Sequence, residues 1–207
     1  MVKKTALTLF VAVIALTANA QKLRFGVKGG LNFSKETQGK VEQLYISSDL
    51  SFRTSFHIGG VMNYALTDQL ELEADLLYSQ QGYKDIIYTT AIEQNIANEN
   101  YTVTSHYINL PIAIKYYIAD GFYAECGPQI GYLLSKKGEL ENWENTYDAY
   151  SSDNTKKIDF GIFGGLGYRF NNNVFIEGRY IHGLTGTSKV VDGCKNRNIQ
   201  ISLGYLF

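Results

Sequence analysis

Proline is almost missing from this chain, with two in 207 residues. Proline cannot donate to a strand ladder, so its scarcity leaves room for many long strands. Cysteine also counts only two, Cys126 and Cys194, which excludes a small scaffold held together by disulfides. Cys126 falls in a predicted strand and Cys194 in a loop at the opposite end of it, so the two are not expected to pair. Charged residues make up 19% of the chain and the formal net charge is -1. The basic footprint of a nucleic-acid binder is absent, and no nucleic-acid partner is expected. Paired Cys or His spacings are missing, and so is a Gly-rich phosphate loop ending in Lys-Ser/Thr. No metal and no cofactor is therefore expected. Beyond the first 20 residues nothing is long and apolar enough for a spanning helix.

What is abundant is tyrosine (16), phenylalanine (11) and glycine (20). The chain opens with MVKKTALTLFVAVIALTANA. Lys3 and Lys4 form a positive start, Ala6–Leu16 an apolar stretch too short to span, and Ala18-Asn19-Ala20 a small-x-small cleavage pattern. This reads as a secretory signal peptide over residues 1–20, cut between Ala20 and Gln21. The mature chain, 21–207, is long enough for one domain. An exported chain without a spanning helix crosses a membrane only as a closed barrel.

The last stretch, Arg197–Phe207, alternates without a break. Ile199, Ile201, Leu203, Tyr205 and Phe207 share one face. Asn198, Gln200, Ser202 and Gly204 share the other, with Leu206 an apolar exception. Seven more stretches behave alike: Leu23–Ser34, Thr54–Leu66, Gln69–Tyr83, Tyr101–Ile118, Gly121–Ser135, Lys157–Phe170 and Val174–Thr187. Pro111 and Gly127-Pro128 interrupt two of them, and a bulge is expected at each. The connections alternate in length. Thr67-Asp68, Ala119-Asp120 and Asn171–Asn173 are short; Lys35–Arg53, Lys84–Asn100, Lys136–Lys156 and Ser188–Asn196 are long. Val41–Ile46 and Asp85–Ile96 carry enough apolar residues to extend strands. The pattern predicts an all-β, eight-stranded antiparallel up-and-down transmembrane β-barrel, with short turns and both mature termini at the periplasmic end.

Periodicity does not say which face is outside, since a soluble lipocalin-like barrel alternates as well. Two rows of aromatics at the ends of the apolar face choose the membrane barrel. Phe25, Tyr64, Tyr116, Phe122, Tyr168 and Tyr205 form one row, and Phe33, Phe56, Tyr78, Tyr132, Phe160 and Tyr180 the other. The polar face then lines a lumen at this size just wide enough for side chains to fill. It carries Arg24, Lys28, Lys115, Arg169 and Arg179 against Glu71, Glu73, Asp75, Glu125, Asp159 and Glu177. Such balance predicts a structural network of ion pairs rather than an open pore, with lumen-side glycines leaving room for the long side chains.

The row Glu71, Glu73, Asp75 has two readings, an acid/base or cation site and one arm of that ion-pair network; the nearby cations favour the network. His57, His106 and His182 lie near strand ends, with Ser55, Ser105 and Ser188 close in sequence, but no spacing enforces a catalytic triad. No catalytic residue is assigned. The loop Glu139–Asp153, with Trp143, Tyr147 and Tyr150, reads either as a contact surface or as a solvated loop.

The stretches FGVKGGLNF (Phe25–Phe33), YINLPIAIKYY (Tyr107–Tyr117), ECGPQIG (Glu125–Gly131), DFGIFGGLGYRF (Asp159–Phe170), RYIHGL (Arg179–Leu184) and the Gly204–Phe207 ending resemble the PorT-like outer-membrane β-barrel family of the Bacteroidetes. The resemblance covers nearly all of Gln21–Phe207. It implies a non-enzymatic barrel in the bacterial outer membrane, placed there by the outer-membrane assembly machinery. The family's namesake takes part in protein secretion across that membrane, so an envelope or secretion protein is the expected partner beside the lipid bilayer. A small porin and, further off, a lipid-modifying enzyme are the alternatives.

Overall fold

The computed structural model describes residues 22–37, 50–90, 96–140, 155–189 and 193–207. The expected signal peptide, Val41–Ile46 and most of Glu139–Asp153 lie outside the described residues. Eight strands follow one another: β1 (Leu23–Glu36), β2 (Ser51–Ala65), β3 (Leu70–Thr90), β4 (Ile96–Ala119), β5 (Phe122–Leu140), β6 (Ile158–Arg169), β7 (Val174–Gly183) and β8 (Asn196–Leu206). Each pairs antiparallel with the next, and β8 returns to β1, with Gly26 opposite Leu206 and Glu36 opposite Asn196. The sheet is a closed barrel without a free edge strand.

The short connections are built from residues suited to tight turns. Thr67 Oγ1 accepts from the Leu70 amide at 3.0 Å. Gly121 has φ 76° and Asn173 φ 64°, left-handed conformations that Gly and Asn tolerate. Gly121 thus belongs to the turn before β5 rather than to the strand itself.

Burial settles which face is outside. Leu76, Leu203 and Ile58 are 61%, 60% and 59% exposed, while Glu73 is 1% exposed. Apolar residues cover the outside and polar ones fill the inside, the reverse of a soluble barrel. On β4 the outward row Ile108, Leu110, Ile112, Ile114, Tyr116 and Ile118 ends at His106. At about 3.3 Å per residue and about 40° tilt, that row is about 25 Å tall, the height of a bilayer's apolar band. Phe25, Tyr116 and Tyr205 face outward toward the terminal end; Phe56, Tyr132, Phe160 and Tyr180 face outward toward the long-loop end.

Four further expectations are corrected. The expected loop Lys84–Asn100 is mostly strand, the hairpin extension that the apolar residues of Asp85–Ile96 allow: β3 and β4 stay paired from Lys84↔Thr102 to Thr90↔Ile96. The β-branched and aromatic run Ile86–Thr90 fits a ladder. β5 likewise continues past Ser135 to Leu140, while β7 stops at Gly183 rather than Thr187. The wall is therefore tall on one side, where β4 has 24 residues, and low on the other, where β7 has 10. Finally, neither proline makes a bulge. Pairing lapses beside each, but Asn109↔Gly131 and Ile114↔Cys126 share one register across Pro111 and Pro128. A proline removes one donor, and the ladders on either side hold the frame. The register shifts fall instead between Phe52 and His57, His106 and Tyr107, and Tyr117 and Ala119.

Inside, small residues stand under large ones. The Tyr123 ring lies over its cross-strand partner Gly167, and the Phe175 ring over Gly204, where a Cβ would collide with the ring. The apolar exceptions cluster within the lumen: Val61, Phe175 and Leu206 in one group, Ala113, Phe163 and Ile181 in another.

Candidate functional site: a charge-filled lumen

The inward positions of the strands stack into layers. At the terminal end Glu71 is the hub. Arg169 grips it with a fork, Nη1 to Oε1 at 2.8 Å and Nη2 to Oε2 at 2.7 Å. Arg24 reaches Oε1 at 2.5 Å, and Asn63 and Tyr117 donate to Oε2 at 2.9 and 3.0 Å.

Further in, three cations meet four carboxylates. Arg179 from β7 makes a fork on Glu125 (2.7 and 2.9 Å), and also reaches Asp75 at 2.8 Å and Glu73 at 2.9 Å. Lys28 from β1 pairs with Asp75 at 2.5 Å and Glu177 at 2.6 Å. Lys115 from β4 pairs with Glu73 at 2.6 Å and Glu177 at 3.1 Å. Tyr123 donates to Glu177 at 3.1 Å. All seven charged groups are buried. Ions withdrawn from water persist only when paired, and here every cation touches at least two carboxylates. The aromatic rings finish the packing: Lys115 Nζ sits 4.5 Å from the Tyr123 centroid, and the Arg179 guanidinium 4.9 Å from that of Phe163.

Glu73, Glu125 and Glu177 bring carboxylate oxygens within 4.8 Å of one another, a spacing that suits a divalent cation. The Lys115 ammonium lies against all three, at 2.6, 3.6 and 3.1 Å. The positive charge such a trio calls for is supplied by the chain itself.

Ten of the eleven predicted lumen charges join these two layers. Asp159 does not. It lies toward the long-loop end, accepting from Thr185 and Asn196, each at 2.7 Å. Glu36 and Lys136, which the sequence reading did not single out, pair beside it at 2.7 Å.

The three histidines are not brought together. His106 lies on the outer surface, hydrogen-bonded to Tyr78 at 2.6 Å, and His182 packs its ring against Tyr180. His57 is inside, between Asn32 Oδ1 and Ser202 Oγ, both at 2.9 Å. Asn32 Oδ1 also accepts from Gln200 at 3.0 Å, so Nδ1 of His57 carries the proton and Nε2 accepts from Ser202. The order Ser202–His57–Asn32 is that of a nucleophile, base and orienting residue. All three are 2% exposed or less, enclosed by the lumen's own side chains. Sequence spacing could not find this chain, because its members come from β8, β2 and β1, and only barrel closure joins them.

A closed eight-stranded barrel with an apolar exterior, aromatic rows and a polar interior defines a transmembrane β-barrel. The sequence profile described as outer membrane protein beta-barrel domain matches residues 19–189. The chain belongs to that family, which supports location in the outer membrane. The chain is similar to solved structures at low identity. Neisserial surface protein A is 11% identical with a TM-score of 0.53, over 88% of this chain and 97% of that one. Ail, the attachment invasion locus protein of Yersinia pestis, is 12% identical with a TM-score of 0.47, over 90% and 99%. OprG from Pseudomonas aeruginosa is 12% identical with a TM-score of 0.44, over 89% and 95%. No curated protein sequence matches the chain.

Proposed function

We propose that this is a non-enzymatic outer-membrane barrel, PorT-like in kind, that works through its outer surfaces and rims while its lumen stays plugged. The observation that supports this is the layer of Lys28, Lys115 and Arg179 against Glu73, Asp75, Glu125 and Glu177. Its ion pairs join β1, β3, β4, β5 and β7 across the lumen. Moving an ion through would require breaking several desolvated pairs, which argues against the small porin. In this reading a signal peptide directs export and the outer-membrane assembly machinery inserts the barrel. The terminal end faces the periplasm, and the tall β3–β4–β5 wall stands outside the cell. An envelope or secretion protein is the partner.

The test is cross-linking in intact native cells with capture of this chain, alongside planar-bilayer recording of the purified barrel. A reproducible envelope partner and no steady conductance are expected. Steady single-channel steps from folded protein would replace this reading with the porin.

A second reading, a hydrolase, rests on Ser202–His57–Asn32. Its burial beneath neighbouring side chains leaves no route for a substrate to Ser202 Oγ. A fluorophosphonate probe is expected to leave Ser202 unlabelled, and labelling would revive the enzyme.

A further inference from the structure

The apolar exterior gives way to polar residues at one level on three neighbouring strands. On β3 the outward row runs Leu72, Ala74, Leu76, then Tyr78 and Gln80. On β4 it runs up to Ile108, then His106 and Thr104. On β5 it runs Ile130, Tyr132, Leu134, then Lys137 and Glu139. The His106/Tyr107 register shift puts an extra residue into β5 at this height, so Leu134 and Ser135 are both exposed.

An open groove of about 570 Å³ lies at that level on the outside of the barrel. Tyr78 and Leu134 line it together with Gln80, Thr104, His106, Arg53, Lys137 and Glu139. Its apolar residues belong to the end of the membrane band and its polar ones to the water side.

The charge in this groove is arranged for an anion. Arg53 and Lys137 line the groove together with His106, near enough for both charges to act on its ring. Arg53 Nη1 is buried and has no hydrogen-bond partner. Arg53 as a whole is only half-buried and lines the groove, so the rest of its guanidinium fork is what a phosphate oxygen would meet. Among the described lining residues Glu139 is the one carboxylate and acts on Arg53, which leaves them with two fixed cations against one anion. When Tyr78 donates to His106 Nδ1, the other ring nitrogen carries a proton available to an acceptor.

We propose that this groove binds the phosphate of an outer-leaflet lipid headgroup, with Arg53 and Lys137 on the phosphate and an acyl chain running down past Tyr78 and Leu134. A soluble phosphate would need the cations but not the continuous apolar slope beneath them. The proposal rests on the orientation given above, with the long-loop end outside.

The test is native mass spectrometry of the full barrel in maltoside micelles. Bisphosphorylated lipid A is added, or a phosphate-free diacyl galactolipid. The wild type is expected to retain one lipid A and no galactolipid. Arg53→Gln/Lys137→Gln is expected to lower retention by about tenfold, the loss of two charge-assisted contacts. Millimolar inorganic phosphate is expected not to displace the lipid. Equal retention by the double variant, equal retention of the galactolipid, or displacement by phosphate would each overturn the proposal. Heat-dependent gel mobility checks that the variant is folded; if it is not, Lys137→Gln alone, at an exposed position, carries the comparison with a smaller expected loss. Orientation is read separately, by labelling Lys137→Cys in intact cells with an impermeant maleimide in a background lacking Cys126 and Cys194. Absence of labelling would count against the orientation, whatever the lipid result.

Discussion

Arg179 is the side chain on which most of the lumen depends. It touches Glu73, Asp75, Glu125 and Glu177 at 2.9, 2.8, 2.7 and 3.2 Å. Replacing it with methionine keeps much of the volume and removes the charge. Four buried carboxylates then face only Lys28 and Lys115. Removing one partner from a buried ionic cluster costs about 3–5 kcal/mol, because the remaining charges lie desolvated and unmatched. Arg179→Lys retains the charge but not the fork on Glu125, and is expected to cost less, about 1–3 kcal/mol. Adding Glu125→Gln to Arg179→Met returns the cluster to its original charge difference. The double variant should therefore recover about 1–3 kcal/mol relative to the sum of the single changes. Urea titration of barrels refolded into lipid vesicles, read by heat-dependent gel mobility, measures each value. If Arg179→Met lay within about 1 kcal/mol of wild type, the lumen cluster would not be a dry, pairing-dependent plug, and the account of the closed lumen would fail.

Other outcomes follow from the same geometry. Lys115→Ala removes the ammonium from between Glu73, Glu125 and Glu177; millimolar calcium should then raise the urea midpoint of the variant and leave the wild type unchanged. Gly167→Val pushes against the Tyr123 ring and should cost about 1–3 kcal/mol through overpacking, measured by the same titration. His57→Ala leaves Ser202 Oγ without its acceptor and removes one of the donors to Asn32 Oδ1, at a cost of about 1–3 kcal/mol, with no change in lipid composition on expression.

Strand order is legible because alternation is local, and the inside-out arrangement because two rows of aromatics end the apolar face. Each of Leu72, Leu76, Glu71 and Glu73 declares its face through its neighbours. Lys84 and Asp85 introduce charge that reads as the start of a loop, while the apolar residues of Asp85–Ile96 allow the hairpin extension that the ladder makes. The prolines misled in the other direction. A single missing donor suggests a bulge, while pairs on both sides of Pro111 and Pro128 hold the register. In the lumen, sequence could count opposite charges but not assign partners. The choice of Glu71 by Arg169, 98 residues away, is set by barrel closure and stagger. The isolation of Asp159 has the same origin. It shares a face with Glu125 and Arg179, but its height along the axis belongs to a different layer. The Ser202–His57–Asn32 chain and the outer groove each draw on three or four strands, and no window of sequence contains either.

The unequal strands give the molecule a front and a back. Beyond the apolar row ending at Ile108, β4 continues to Ile96. At about 3.3 Å per residue and about 40° tilt, those residues carry the β3–β4 hairpin about 30 Å past the hydrocarbon, well clear of the headgroups, with β5 beside its lower part. On the opposite flank β7 ends at Gly183, close to the level where the apolar face does. A neighbour drifting in the plane of the membrane therefore meets a parapet on one side and a sill on the other. Contacts above the bilayer surface can form against the parapet, while the sill lets another barrel come close only within the lipid. Rotation about the membrane normal thus selects which kind of encounter the barrel has.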